Sequence, residues 1–284
     1  MEGETEILPS KHTGRRNGWL KVLVSSAIFY FLLLVAILLT GNSNLFPTLM
    51  MVGNFMVPVA YVAFFYERKH LSRLTMPTVS FVFLYGGLLG ILAASFIEPI
   101  FISQLNLIAI LKIGLIEEFA KILGVLVIAQ HSRHDSEMDG LILGAAAGMG
   151  FAALESNGYA FTAFLSSGGS ISAPVIVTLF RGLLSPLGHG TWTAILASVL
   201  FRESKCCKFR INLHVIGAYL LVSVLHAMWN GLDVVFSTFY SPLLSLLITD
   251  SVVGIIGLSI LWLRWREAVR LQTVLPQESG EFGA

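Results

Sequence analysis

Apolar runs long enough to cross a bilayer recur along almost the whole sequence, and this decides the class of fold before any single residue is considered. A helix needs about 20 apolar residues to span a ~30 Å hydrocarbon core. Runs of that length lie at 19–40, 45–66, 77–97, 104–130, 138–165, 174–201, 213–236 and 242–265. With 55% hydrophobic and only 12% charged residues, an ordinary soluble domain is excluded. The reading is an all-α polytopic transmembrane helix bundle of about eight spans, a multi-pass protein of the cell membrane. The first run is longer than a signal-peptide core and lacks a small-x-small cleavage site after it, so it reads as a membrane helix.

Basic residues test the span count, because cytoplasmic loops carry the excess of Lys and Arg. Of the 18 basic residues, fifteen fall on one side of an eight-span arrangement. They are Lys11, Arg15, Arg16 and Lys21; Arg68, Lys69 and Arg73; Arg133; Arg202, Lys205, Lys208 and Arg210; and Arg264, Arg266 and Arg270. The loops on the other side hold none, which puts both termini in the cytoplasm. Residues 1–18 read as a disordered cytoplasmic tail, 19–266 as one bundle and 267–284 as a second cytoplasmic tail. The net charge of +1 and the lack of a basic patch interleaved with aromatics argue against nucleic acid; the partner surface is the lipid bilayer. Cys206 and Cys207 are adjacent and suggest no disulfide framework. Nothing in the sequence fixes an oligomeric state.

The three remaining basic residues, Lys112, Lys121 and Arg181, lie inside spans, as do several acids and histidines. The fourth run carries Lys112, Glu117, Glu118 and Lys121 near its middle. A charge at the bilayer centre costs about 2.5–3.5 kcal/mol on insertion scales, so such groups must be paired, hydrated or used. At about 100° per residue, Lys121 reaches either glutamate one turn away. Gly114, on the same face, leaves room for a close neighbour. Lys112 lies on the opposite side and is expected to snorkel or play a structural part.

Spans four to seven (104–236) each add an acid, a base or an imidazole. The fifth holds Glu155, followed by Ser156 and Asn157; the sixth Arg181, Ser185 and His189; the seventh Ser223, His226, Asn230 and Asp233. At the ~1.5 Å helical rise, Glu117, Glu155, His189 and His226 all lie within reach of one membrane level. Small residues every fourth position, Gly140, Gly144, Gly148 and Ala152, mark the fifth span as a close-packing helix. Pro186, between Gly182 and Gly190, predicts a kink or opening in the sixth. Paired carboxylates with a third acid and two imidazoles are the parts needed to activate water and protonate a leaving amine. The same groups could hold a metal, Zn2+ being the natural candidate: His189, His226 and a carboxylate such as Glu155 make a three-ligand site with an open position. Arg181 is expected to neutralise Glu155 or Asp233, and Asn230 and Asp233 to orient His226. Asp250, near a span end, is read as unremarkable.

The ordered set Glu117-Glu118-Phe119-Ala120-Lys121, Phe151-x-x-x-Glu155, His189 and His226-x-x-x-Asn230 resembles the PrsW family of intramembrane proteases. The segment from Gly53 to Tyr66 is similar to that family's second span. The resemblance implies an endopeptidase that cuts in or near the transmembrane part of a single-span membrane protein, such as an anti-sigma factor, in a bacterial cell membrane. It implies Glu117 and Glu118 as the catalytic pair, Lys121 as their structural partner, and Glu155, His189 and His226 completing the site. The related CAAX prenyl proteases place an Arg later than this Lys, which favours the first family. The family label implies a metal, the CAAX likeness a glutamate mechanism. Rival readings are a prenyl-protease-like peptidase, a proton-coupled transporter, a noncatalytic scaffold, and haem held by His189 and His226. A transporter predicts inverted repeats, and none is evident.

Overall fold

In the computed structural model the described residues are 17–69, 72–129, 136–204 and 208–278, and they form helices in every major element. The helices are α1 (Gly18–Thr40), α2 (Phe46–Glu67), α3 (Met76–Phe81), α4 (Gly87–Phe101), α5 (Leu107–Ala129), α6 (Glu137–Ser166), α7 (Ser172–Leu184), α8 (His189–Glu203), α9 (Leu213–Phe236) and α10 (Pro242–Glu278). A π-helical turn, Val82–Gly86, joins α3 to α4 in one rod, and a 3-10 turn, Ser185–Leu187, joins α7 to α8. Seven helical segments among the described residues are long and apolar enough to cross a membrane. The helix α5, with 23 residues, is long enough but carries four charges. The all-helical membrane bundle therefore stands as expected. The final helix runs past residue 265 to Glu278, so residues 267–278 continue a helix. The Lys11, Arg15, Arg16, Arg133, Lys205 and Cys206–Cys207 positions lie outside the described residues.

Between membrane helices lipid is as apolar as leucine, so close approach and polar contacts hold the bundle together. The helix α6 is its axis, buried along most of its length and touching α2, α4, α7, α8 and α10. The expected glycine stripe faces α8. A Cβ on Gly140 would stand 2.5 Å from the Ala197 carbonyl oxygen, and Gly144 and Gly148 meet the backbone of Thr193 and His189 in the same way. Only residues without a side chain let the two backbones lie this close. A second bare spot, Gly114 on α5, brings α9 in: its Cβ would stand 2.5 Å from the Ser223 carbonyl oxygen. The outer surface is studded with exposed Leu, Ile and Phe, Leu39 and Phe96 among them, as a lipid-facing surface requires.

Three polar devices fix the frame. Asn54 of α2, fully buried, donates to Asn157 of α6 at 3.0 Å. Tyr61 and Thr191 share a hydrogen bond of 3.1 Å between α2 and α8. At the end of the bundle where the basic loops lie, Arg264 of α10 pairs with buried Glu137 of α6 at 2.5 Å and with Glu267 at 2.7 Å, and Arg202 of α8 reaches Glu267 at 2.8 Å. Lys112 donates to the Phe101 carbonyl at 3.0 Å, closing the C-terminus of α4, the structural part expected of it.

Candidate active site

The sixth membrane segment breaks where Pro186 predicts. It has no N–H to continue the helix, and Gly188 (φ −107°, ψ −118°) takes the chain out of helical geometry before α8 restarts. The break makes His189 the first residue of α8, in the middle of the bundle and beside α5, α6 and α9.

Lys121 lies at the centre of the cluster, fully buried. Its ammonium donates to Glu118 Oε1 at 2.6 Å and to His189 Nδ1 at 2.7 Å, stands 3.4 Å from Glu117 Oε2, and lies 4.5 Å from the centre of the Phe151 ring. The expectation that Lys121 reaches either glutamate is met for both. Since Nδ1 of His189 accepts from the ammonium, its proton sits on Nε2, which faces Glu155 Oε2 at 3.1 Å. Glu155 in turn pairs with Arg181 at 2.5 Å, and Arg181 also donates to Ser156 at 3.1 Å. Of the two partners expected for Arg181, Glu155 is the one it takes.

The two adjacent glutamates differ. Glu118 is fully buried and spent: Oε1 accepts from Lys121 and faces His226 Nδ1 at 3.0 Å, while Oε2 accepts from Thr193 at 3.5 Å. Glu117 is 6% exposed, and its Oε2 is buried without a hydrogen-bond partner, 3.7 Å from His226 Nε2. A carboxylate at Nδ1 fixes the tautomer of His226 with the proton on Nδ1 and the lone pair on Nε2, toward Glu117. That arrangement is how proteins orient a metal-ligating histidine.

A donor atom from each of Glu117, His189 and His226 lies within 4.8 Å of the others. The close group thus contains Glu117 where Glu155 was expected; Glu155 instead faces His189 and pairs with Arg181. The carboxyl groups of Glu117, Glu118 and Glu155 outnumber the two fixed cations that face them, Lys121 and Arg181. Among the described contacts Asn230 and Asp233, expected to orient His226, do not bond to it; Glu118 takes Nδ1 and Glu117 stands 3.7 Å from Nε2. Asn230 lines a cavity instead.

That cavity, of about 450 Å3, lies between α6, α7, α9 and α10 and reaches Glu155, Arg181 and His189 at one end. Its walls are largely apolar, with Ile176, Phe180, Leu243 and Leu246 among them. Sequence reasoning missed Glu98 of α4, half-buried, whose charge acts on Glu155 and Lys121. Its place beside Pro99, just past the expected end of the third span, hid it.

An all-helical, multi-pass membrane protein with acids and imidazoles of four helices gathered inside it belongs to the class of membrane-embedded hydrolases. The family model for the PrsW family intramembrane metalloproteases matches residues 75–259, and the chain belongs to that family. It is 27% identical over 184 residues to the Protease PrsW of Halalkalibacterium halodurans, covering 63% of this chain and 80% of that one. No solved structure matches it. The chain is a membrane peptidase, an intramembrane endopeptidase.

Proposed function

We propose that this peptidase cuts a single-span membrane protein, in or beside its transmembrane part, and that Glu117 is the carboxylate on which hydrolysis turns. The observation that carries this is the contrast within the glutamate pair: both oxygens of Glu118 are hydrogen-bonded, whereas Glu117 keeps a buried oxygen that makes no hydrogen bond, beside His226 Nε2. In this reading α5 also crosses the membrane, bringing the spans to eight, and the basic loops put both termini in the cytoplasm of a bacterial cell.

A substrate helix must unwind before its carbonyls can be attacked, and the cavity ending at His189 and Glu155 gives an opened segment a place to lie. Water adds to the peptide carbonyl carbon as Glu117 takes its proton, the carbonyl oxygen becoming an oxyanion. The C–N bond then breaks as that proton passes to the leaving nitrogen, giving a carboxylic acid and an amine. Glu118 and Lys121 act as positioning residues, holding His226 and His189, and the Arg181–Glu155 pair holds His189 from the other side.

If a divalent cation such as zinc is bound, Glu117, His226 and His189 would hold it, and it would supply Lewis-acid polarisation and a more acidic water. Glu117 Oε2 and His226 Nε2 already offer free lone pairs, while His189 would have to release one neighbour. With Oε2 on the cation, the other oxygen of Glu117 would be the one to take the proton. A membrane-anchored anti-sigma factor is a fitting substrate.

The test is cleavage of a panel of single-span membrane proteins in cells by the wild type and by Glu117→Gln and His226→Ala at equal protein level. Products made by the wild type and missing in both variants are the expected result. Cleavage that persists in Glu117→Gln would remove that residue from the chemistry.

A further inference from the structure

The cavity wall carries an acid that the hydrolytic cluster does not use. Asp250 of α10 is only 3% exposed, lines the cavity, and has an oxygen sealed from solvent that accepts no hydrogen bond. Asp233 of α9, half-buried nearby, also has a sealed oxygen without a partner. Asp233 is close enough for its charge to act on Asp250, and among the described residues neither forms an ion pair. Arg181, a cation lining the same cavity, is already committed to Glu155 and Ser156.

Two unpaired carboxylates within membrane-length helices are costly unless something neutralises them. Helices α9 and α10 are joined by the short turn at 237–241, so both acids lie toward one end of the bundle, the end opposite the Arg264–Glu137 pair. Glu155, His189 and Asp250 line the same cavity, with apolar side chains such as Ile176, Phe180 and Leu246 among them. A peptide segment lying in it would meet all three, with Asp233 near Asp250.

We infer that Asp250 and Asp233 form a specificity subsite for a basic side chain of the substrate, arginine above all, since its planar fork can bridge two carboxylates. The inference rests on the proteolytic reading for what occupies the cavity. It makes both acids specificity-determining residues that touch the substrate, apart from the reacting bond.

The experiment measures binding separately from cleavage. The full chain, with Glu117→Gln so that no peptide is consumed, is placed in nanodiscs and titrated with fluorescent synthetic single-span peptides. Each peptide carries one Arg at a successive position, and its control carries Gln there. One register should bind about tenfold more tightly as Arg than as Gln. That preference should vanish on adding Asp250→Asn or Asp233→Asn, each confirmed folded by thermal melting. No preference at any register, or a preference that survives in both variants, overturns the subsite. Wild-type cleavage of the same peptides is scored separately. If the Arg register binds but the wild type cuts nothing, the choice of substrate fails and the subsite stands; if peptides are cut without regard to Arg, the subsite fails and the peptidase stands.

Discussion

Replacing Gly114 by Ala tests whether the spacing of α5 and α9 sets the chemistry. The new Cβ would lie 2.5 Å from the Ser223 carbonyl oxygen, 3.3 Å from the Ala227 nitrogen and 3.4 Å from His226 Cβ. The nearest atoms are backbone, which cannot swing aside as a side chain would. Restoring ordinary contact moves α9 away by about 1 Å, and His226 travels with it. The 3.0 Å contact of His226 with Glu118 then stretches beyond hydrogen-bond length, and its Nε2 leaves Glu117. Misplacement on this scale costs on the order of a hundredfold in rate, with an overpacking cost of about 1–3 kcal/mol in stability. Gly217→Ala is the control, on α9 itself, where a Cβ meets nothing within 4 Å. There the change should leave the rate unaltered and stabilise the helix by about 1 kcal/mol. The assay is the initial rate on a reporter substrate in proteoliposomes at equal folded concentration, with thermal unfolding alongside. A folded Gly114→Ala protein that cuts at the wild-type rate would refute the reasoning.

Two further outcomes separate the roles within the cluster. Glu118→Gln strips the countercharge from an ammonium with no exposure and should destabilise the protein by about 3 kcal/mol, whereas Glu117→Gln should stay within about 1 kcal/mol of wild type and still lose cleavage; equal melting temperatures for the two variants would show that the pair is not divided in this way. Zinc analysis of purified protein should find one ion per wild-type chain and none with His226→Ala. A metal content unchanged by that substitution would move the ion elsewhere.

Much of this arrangement is legible in the sequence, and the illegible part has physical causes. Charges in apolar runs, counted along helices, bring Glu117, Glu155, His189 and His226 to one level, and there they meet. Pro186 announces the helix break, and the four-residue stripe of small side chains on α6 announces a close neighbour. Periodicity cannot say which glutamate stays free, because Lys121 is within one turn of both; that depends on Thr193 and His226, which come from other helices. Nor does it show that Glu155 pairs with Arg181 and faces His189 while Glu117 joins the two imidazoles. Asn230 and Asp233 share a helical face with His226, but a shared face does not create contact: the nitrogens of His226 turn toward α5. Asp250 looks unremarkable as a residue near a span end, and gains meaning only from the cavity beside it.

The ion pairs that join Glu137, Arg202, Arg264 and Glu267 tie α6, α8 and α10 together at one end only. The cavity between α6, α7, α9 and α10 lies outside that clasp. A guest held there would leave the four ion-paired residues in place, so occupancy of the site and the integrity of the clasped end are separate demands on the same fold.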